Sequence, residues 1–127
     1  MKYFYLLVVI LVISVIACGK TDKNETNPEM IAEQIEQGKK LFKERTCAGC
    51  HELDNNDYGP SIKDIVKTYQ EQETDIVEFL KGIQKHPIVE KDSTQVAIMK
   101  TNIDEFVKSL SDKELKAISA YMMDATK

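Results

Sequence analysis

Two cysteines and a histidine stand within five residues, Cys47-Ala48-Gly49-Cys50-His51. At this spacing two thiols and an imidazole have three chemistries open to them: a metal site, a dithiol redox pair, or covalent capture of a haem. A structural zinc takes four ligands, usually as two spaced pairs. These residues supply at most three, and no second Cys/His pair follows. A thioredoxin-like pair belongs beside a βαβ unit, whereas the flanking residues here read helical. Haem attachment uses every residue of the motif. Haem carries two vinyl groups on neighbouring pyrroles, and each can be captured by one thiol as a thioether. Cysteines three apart on a helical turn share a face, so Cys47 and Cys50 reach both vinyls from one side. His51 then offers its imidazole to the iron as proximal ligand, and Ala48 and Gly49 are small enough for the backbone to lie against the porphyrin edge.

The third cysteine falls at the end of an apolar run. Lys2 precedes uninterrupted apolar residues from Tyr3 to Ile13, and after Ser14 the run resumes to Ala17. That length is short of the roughly 20 residues of a membrane span. A positive start, a short apolar middle and a small residue before a cut site describe an export signal, residues 1–17. Val15-Ile16-Ala17-Cys18 resembles the lipobox of bacterial lipoproteins, which implies lipid on the Cys18 thiol; the other reading is an uncleaved anchor with an incidental cysteine. Three cysteines in an exported chain leave one odd thiol. Lipid on Cys18 and haem on Cys47 and Cys50 would use all three, and haem is attached to c-type proteins after export, so the two motifs support one another.

Beyond Ala17 the chain keeps 16 basic and 21 acidic residues, a balance of −5. Phosphate contacts demand a basic surface, so no nucleic acid is expected as a partner. Membrane attachment is expected through lipid and not through a polybasic patch. Gly19 to Asn27 contains no apolar side chain and reads as a solvated tether, giving a lipidated N-terminus and tether over 18–28 and one domain over 29–127.

The elements that must position the motif are helices. Asn27-Pro28-Glu29 is a helix start: a capping side chain, proline in the first turn and an acid at the positive end of the dipole. Ile31, Ile35, Gly38 and Phe42 follow on one face, and the helix should run to about Arg45. Ser111-Asp112-Lys113-Glu114 is a capping box before a stripe of Leu115, Ile118 and Met122, with Tyr121 beside it. Between them, Ile62, Ile65, Val66 and Tyr69 suggest a short helix. Ile76, Val77, Leu80 and Ile83 suggest another, beginning near Thr74. Strand alternation is weak throughout, so the fold class is all-α.

With these features in place the chain resembles a small single-haem cytochrome c domain, over roughly Met30 to Lys127. The resemblance implies a bundle of about four to five helices around one covalently attached haem c. It also implies a glycine and an aromatic on the first helix packed against an aromatic on the last, matched by Gly38, Phe42 and Tyr121. Gly59-Pro60 fits as well: the Pro60 carbonyl would accept from the proximal histidine's free ring nitrogen and fix its orientation.

The resemblance places a methionine ligand before the last helix. Met30 and the signal's Met1 are too early, and Met122 and Met123 lie inside the last helix, where packing against the first helix is their expected role. Met99 remains, in an expected loop twelve residues before Ser111, with Ile98, Ile103 and Phe106 available to wall the haem from water. The family's following proline is replaced by Lys100. His86, ahead of Pro87, and an open or water-bound site are the other candidates.

With His51 and Met99 both on iron no site is left for substrate, so the expected function is electron transfer by a tethered carrier, not an enzyme. The alternatives are a haem-based gas sensor or weak peroxidase with a labile sixth site, or the electron-delivering subunit of a larger redox complex. Expected partners are membrane redox complexes or other electron-transfer proteins. The location would be the periplasm or cell exterior, on the outer membrane of a Gram-negative cell.

Overall fold

A computed structural model describes residues 27–84 and 88–127. The proposed signal, Cys18 and His86 lie outside these residues. Five α-helices and no strand occur among the described residues: α1 (Pro28–Glu44), α2 (Ile62–Glu71), α3 (Ile76–Leu80), α4 (Ser93–Asn102) and α5 (Asp112–Ala125), with a 3₁₀ turn at Cys47–Gly49 and a π turn at Ile103–Val107. The all-α class is as the sequence indicates. No helix of the described residues is long and apolar enough to cross a membrane.

Each helix begins where its capping chemistry directs. Asn27 Oδ1 accepts from the Glu29 N–H, and Pro28 occupies the first turn of α1. Ser61 Oγ and Asp75 Oδ1 cap α2 and α3, and Asp92 Oδ1 takes both the Thr94 and Gln95 N–H groups at the start of α4. Ser111 and Glu114 form the reciprocal capping box of α5.

The core is the junction of α1 with α5. Leu41 and Phe42 from α1 meet Leu115, Ala117, Ile118 and Met122 from α5, all buried, and Val66, Phe79, Leu80 and Val107 join the same cluster. At the crossing point a Cβ built on Gly38 would overlap the Ala117 carbonyl oxygen and lie 2.9 Å from the Tyr121 Cβ. Only a residue without a side chain lets the two backbones come this close. One turn further on, the Phe42 and Tyr121 rings pack with centroids 5.4 Å apart and planes tilted by 58°, an arrangement favoured by the aromatic quadrupole. Lys81 Nζ to Asp112 Oδ2, 2.7 Å, ties the end of α3 to the first turn of α5. The lysine's hydrogen bond and charge hold the Asp112 carboxyl below its usual range.

Several expectations need correction. Ile31 is exposed, because α5 covers only the later turns of α1. α3 starts after Asp75 and stops at Leu80, so Ile83 is not on it and is 65 % exposed. The cause is Gly82, whose φ of +76° takes the left-handed turn that commonly ends a helix. Met99 is not in a loop: it is in the second half of α4, a helix the sequence reading did not contain. Lys100 permits this, since a proline there would lack the N–H that an interior helical position donates. Ile103 and Phe106 belong to the π turn, Ile103 buried and Phe106 half-buried. Met123, expected to pack against α1, is exposed.

Gly38→Ala tests the crossing. Alanine favours a helix by about 1 kcal/mol over glycine, yet overpacking here should cost about 1–3 kcal/mol. The net expectation is a lower urea midpoint for the haem-loaded protein; a higher midpoint would contradict the close contact.

Candidate haem site

The chain leaves α1 through Arg45 and reverses at Thr46, which has φ 64° and ψ 3°. This is the position after a helix C-cap where glycine usually sits, and a β-branched residue there is strained. Cys47 then opens the 3₁₀ turn. Its carbonyl accepts from both Cys50 and His51 N–H, at 3.1 and 2.9 Å, and the Thr46 carbonyl accepts from the Gly49 N–H at 3.0 Å. The turn fixes the two thiols and the imidazole relative to one another. Cys47 is half-buried, and burial, the largest cause, pushes its thiol up from the usual value; Cys50 is exposed. A thiol held protonated is a poor redox nucleophile. No cluster of three or more His, Cys, Asp or Glu side chains suited to a metal ion occurs among the described residues, so neither the zinc reading nor the dithiol reading of the motif gains support.

Residues 51–61 return to α2 as a closed loop. Glu52 and Leu53 carbonyls accept from the Ile62 and Lys63 N–H groups at 2.8 and 3.2 Å. Asn56 accepts from the Ser61 N–H at 2.6 Å and donates to Asp64 Oδ2 at 2.9 Å. This loop brings the Pro60 carbonyl to 2.7 Å from His51 Nδ1. A carbonyl can only accept, so Nδ1 carries the proton and Nε2 keeps its lone pair for a metal. Gly59 backs the ring: a Cβ there would sit 3.3 Å from His51 Cε1 and 3.1 Å from the Cys50 carbonyl oxygen.

His51 and Cys50 open onto a cavity whose empty space, counting the solvent at its mouth, is about 760 Å³. Its wall is mostly apolar. Ile65 and Tyr69 come from α2, Ile76, Phe79 and Leu80 from α3, and Met122 from α5; that side chain therefore serves the cavity as well as the core. Gln95, Ile98, Met99 and Asn102 of α4, spaced i, i+3, i+4 and i+7, turn one helical face to the same cavity. Met99 is thus brought together with His51.

Sequence reasoning missed Gln95, Asn102, Val89 and Glu90 in this wall, and the role of Tyr69. The Tyr69 ring is 3 % exposed and stands 6.3 Å from Phe79. Its buried hydroxyl has no hydrogen-bond partner among the described residues, and burial keeps it protonated by raising its pKa. A buried donor without an acceptor costs about 1–3 kcal/mol. A cofactor with its own acceptors would relieve this. Two thiols, an imidazole with a free Nε2, a mostly apolar cavity beside them and an orphaned donor together fit a covalently held haem.

An all-helical fold enclosing such a cavity beside a Cys-x-x-Cys-His turn defines a small haem-carrying domain. The family model described as cytochrome c matches residues 35–126, and the chain belongs to the cytochrome c family, whose cofactor is covalent haem c. No curated protein matches the chain.

The strain at Thr46 gives a stability prediction. Replacing it with glycine relieves about 1–2 kcal/mol of left-handed strain, offset by about 0.5–1 kcal/mol for glycine's greater freedom when unfolded. Thr46→Gly should therefore raise the urea midpoint of the haem-loaded protein with its visible spectrum unchanged, while Thr46→Val should not. A loss of stability in Thr46→Gly would contradict the strained turn.

Proposed function

We infer that this protein is a membrane-tethered, single-haem electron carrier with histidine and methionine on the iron. In this reading Cys47 and Cys50 form the thioethers, His51 Nε2 is the proximal ligand, the Pro60 carbonyl orients it, and Met99 Sδ is the sixth ligand. The observation that carries the reading is the placement of Met99 and the Pro60-anchored His51 on one apolar cavity. Haem held there supplies one-electron chemistry at its iron. The chain's own residues tune and protect it. The hydrogen bond from Nδ1–H to the Pro60 carbonyl raises the basicity of Nε2. The apolar wall excludes water and disfavours the extra charge of the ferric state, as does a neutral thioether in place of a second imidazole.

Lipid on Cys18, with residues 1–17 removed, would hold the domain at a membrane surface. Nine residues from Gly19 to Asn27 give it reach toward membrane redox complexes, raising its effective concentration there. The periplasm or cell exterior is the corresponding location, on the outer membrane in a Gram-negative cell. A free-standing carrier and an electron-delivering subunit of a larger complex share this chemistry.

A gas sensor or weak peroxidase differs in having its sixth site open, and carbon monoxide separates the two. The ferrous wild-type protein should resist carbon monoxide at neutral pH, whereas Met99→Ala should bind it readily. A site open in about 1 % of molecules weakens apparent affinity about 100-fold relative to a fully open one. Rapid binding by the wild-type protein, unchanged in the variant, would contradict the carrier reading. Separately, Cys18→Ser expressed in a lipoprotein-processing bacterium should move the protein from the membrane to the soluble fraction; continued membrane association would contradict the lipid anchor.

A further inference from the structure

Among the described residues, charge beside the haem cavity is mostly negative. Tyr58, 70 % exposed, and Glu90 and Gln95 belong both to the cavity and to a second, adjoining concavity. That concavity carries four carboxylates, Asp57, Asp64, Glu71 and Glu90, against one ammonium, Lys67. Lys67 is already engaged by Glu71 on the next turn of α2, at 3.9 Å. The other three carboxylates have only uncharged partners among the described residues. Asp57 Oδ2 accepts from Asn55 and Asp64 Oδ2 from Asn56. Glu90 Oε1 takes the backbone N–H groups of Lys91 and Asp92, both at 2.7 Å. Elsewhere, Asp104 is paired with Lys100 and Lys108, and Asp112 with Lys81. Ile98, on the wall of the same cavity, is 49 % exposed, so apolar surface lies beside carboxylates that no cation among the described residues pairs.

We propose that the surface formed by Tyr58, Ile98 and the carboxylates of Asp57, Asp64 and Glu90 is the docking face for a redox protein that presents a basic, lysine- or arginine-rich patch. The proposal rests on the carrier reading and names the partner's chemistry at that same site. Electron transfer needs close approach to the cavity mouth, and Tyr58 and Ile98 supply the dry contact there. The flanking carboxylates steer a cationic surface onto it, raise the association rate and repel an anionic one. A small apolar contact with a charged surround also permits rapid departure after each electron, as transient redox interfaces require.

The test uses the haem-loaded ferrous protein in stopped flow, with tris(phenanthroline)cobalt(III) as cationic probe and hexacyanoferrate(III) as anionic probe. In each reaction the ferrous iron gives up one electron and becomes ferric, while cobalt(III) becomes cobalt(II) or hexacyanoferrate(III) becomes hexacyanoferrate(II). The face is altered by Asp57→Asn, Asp64→Asn and Glu90→Gln together, the glutamine keeping an oxygen that can accept from the Lys91 and Asp92 N–H groups. Glu33→Gln, Glu36→Gln and Glu44→Gln on α1 form a control with the same change of net charge.

At low salt the face variant should react with the cobalt probe about threefold or more slowly than the control. It should react faster than the control with hexacyanoferrate, and added salt should erase both differences. Equal rates for the two variants would overturn the docking face. A ferrous protein that reduces neither probe would overturn the carrier reading itself, and the docking face with it.

Discussion

The close crossing of α1 and α5 is the constraint on which the rest of the structure depends. Gly38 brings the α1 backbone against the Ala117 carbonyl, and Phe42 and Tyr121 lock the angle one turn later. This contact joins the two ends of the domain. It holds the second half of α1 against α5, and the Cys47–Gly49 turn follows shortly after α1 ends. It also sets Met122 in the cavity wall from the other side of the chain. A side chain at residue 38 would push apart the two elements that frame the site.

From that frame the site is built by short-range constraints. The left-handed turn at Thr46 redirects the chain, and the 3₁₀ turn arranges two thiols and an imidazole. The loop closed by Asn56 delivers the Pro60 carbonyl to His51. The far part of the cavity is less rigidly founded. No residue of α4 is buried, and its Gln95–Asn102 face is turned to the cavity, so α4 has little packing of its own apart from the haem site. The π turn that follows, anchored by buried Ile103 and Val107, connects it to the core. Such turns frequently accompany functional sites. The Lys100–Asp104 pair at 2.6 Å is exposed and adds little stability.

Most of the frame was legible in the sequence because it is written locally. Asn27-Pro28 and Ser111-Asp112-Lys113-Glu114 mark helix starts through side chains that satisfy orphan N–H groups, and both act as read. The Cys47–His51 spacing is likewise local. α4 escaped notice because the face it turns to the cavity mixes Gln95 and Asn102 with Ile98 and Met99, so no apolar stripe appears. The end of α3 was overrun because Ile83 continues the apolar spacing, while the stop signal is one glycine, Gly82, in a left-handed conformation. Thr46 adopts a conformation its residue type avoids, and the orphaned Tyr69 hydroxyl exists only once Phe79 and its other neighbours have closed around it. Of these places, the α4 face and Tyr69 line the cavity itself.

The central claim is that His51 and Met99 ligate one covalently held haem. Its most direct measurement is the visible spectrum of the ferric, haem-loaded protein, read at the weak long-wavelength sulfur-to-iron band. The band should be present in the wild-type protein and in His86→Ala, and absent from Met99→Ala, which should keep its covalent haem. A wild-type spectrum without the band, or a band that survives in Met99→Ala, would contradict the account.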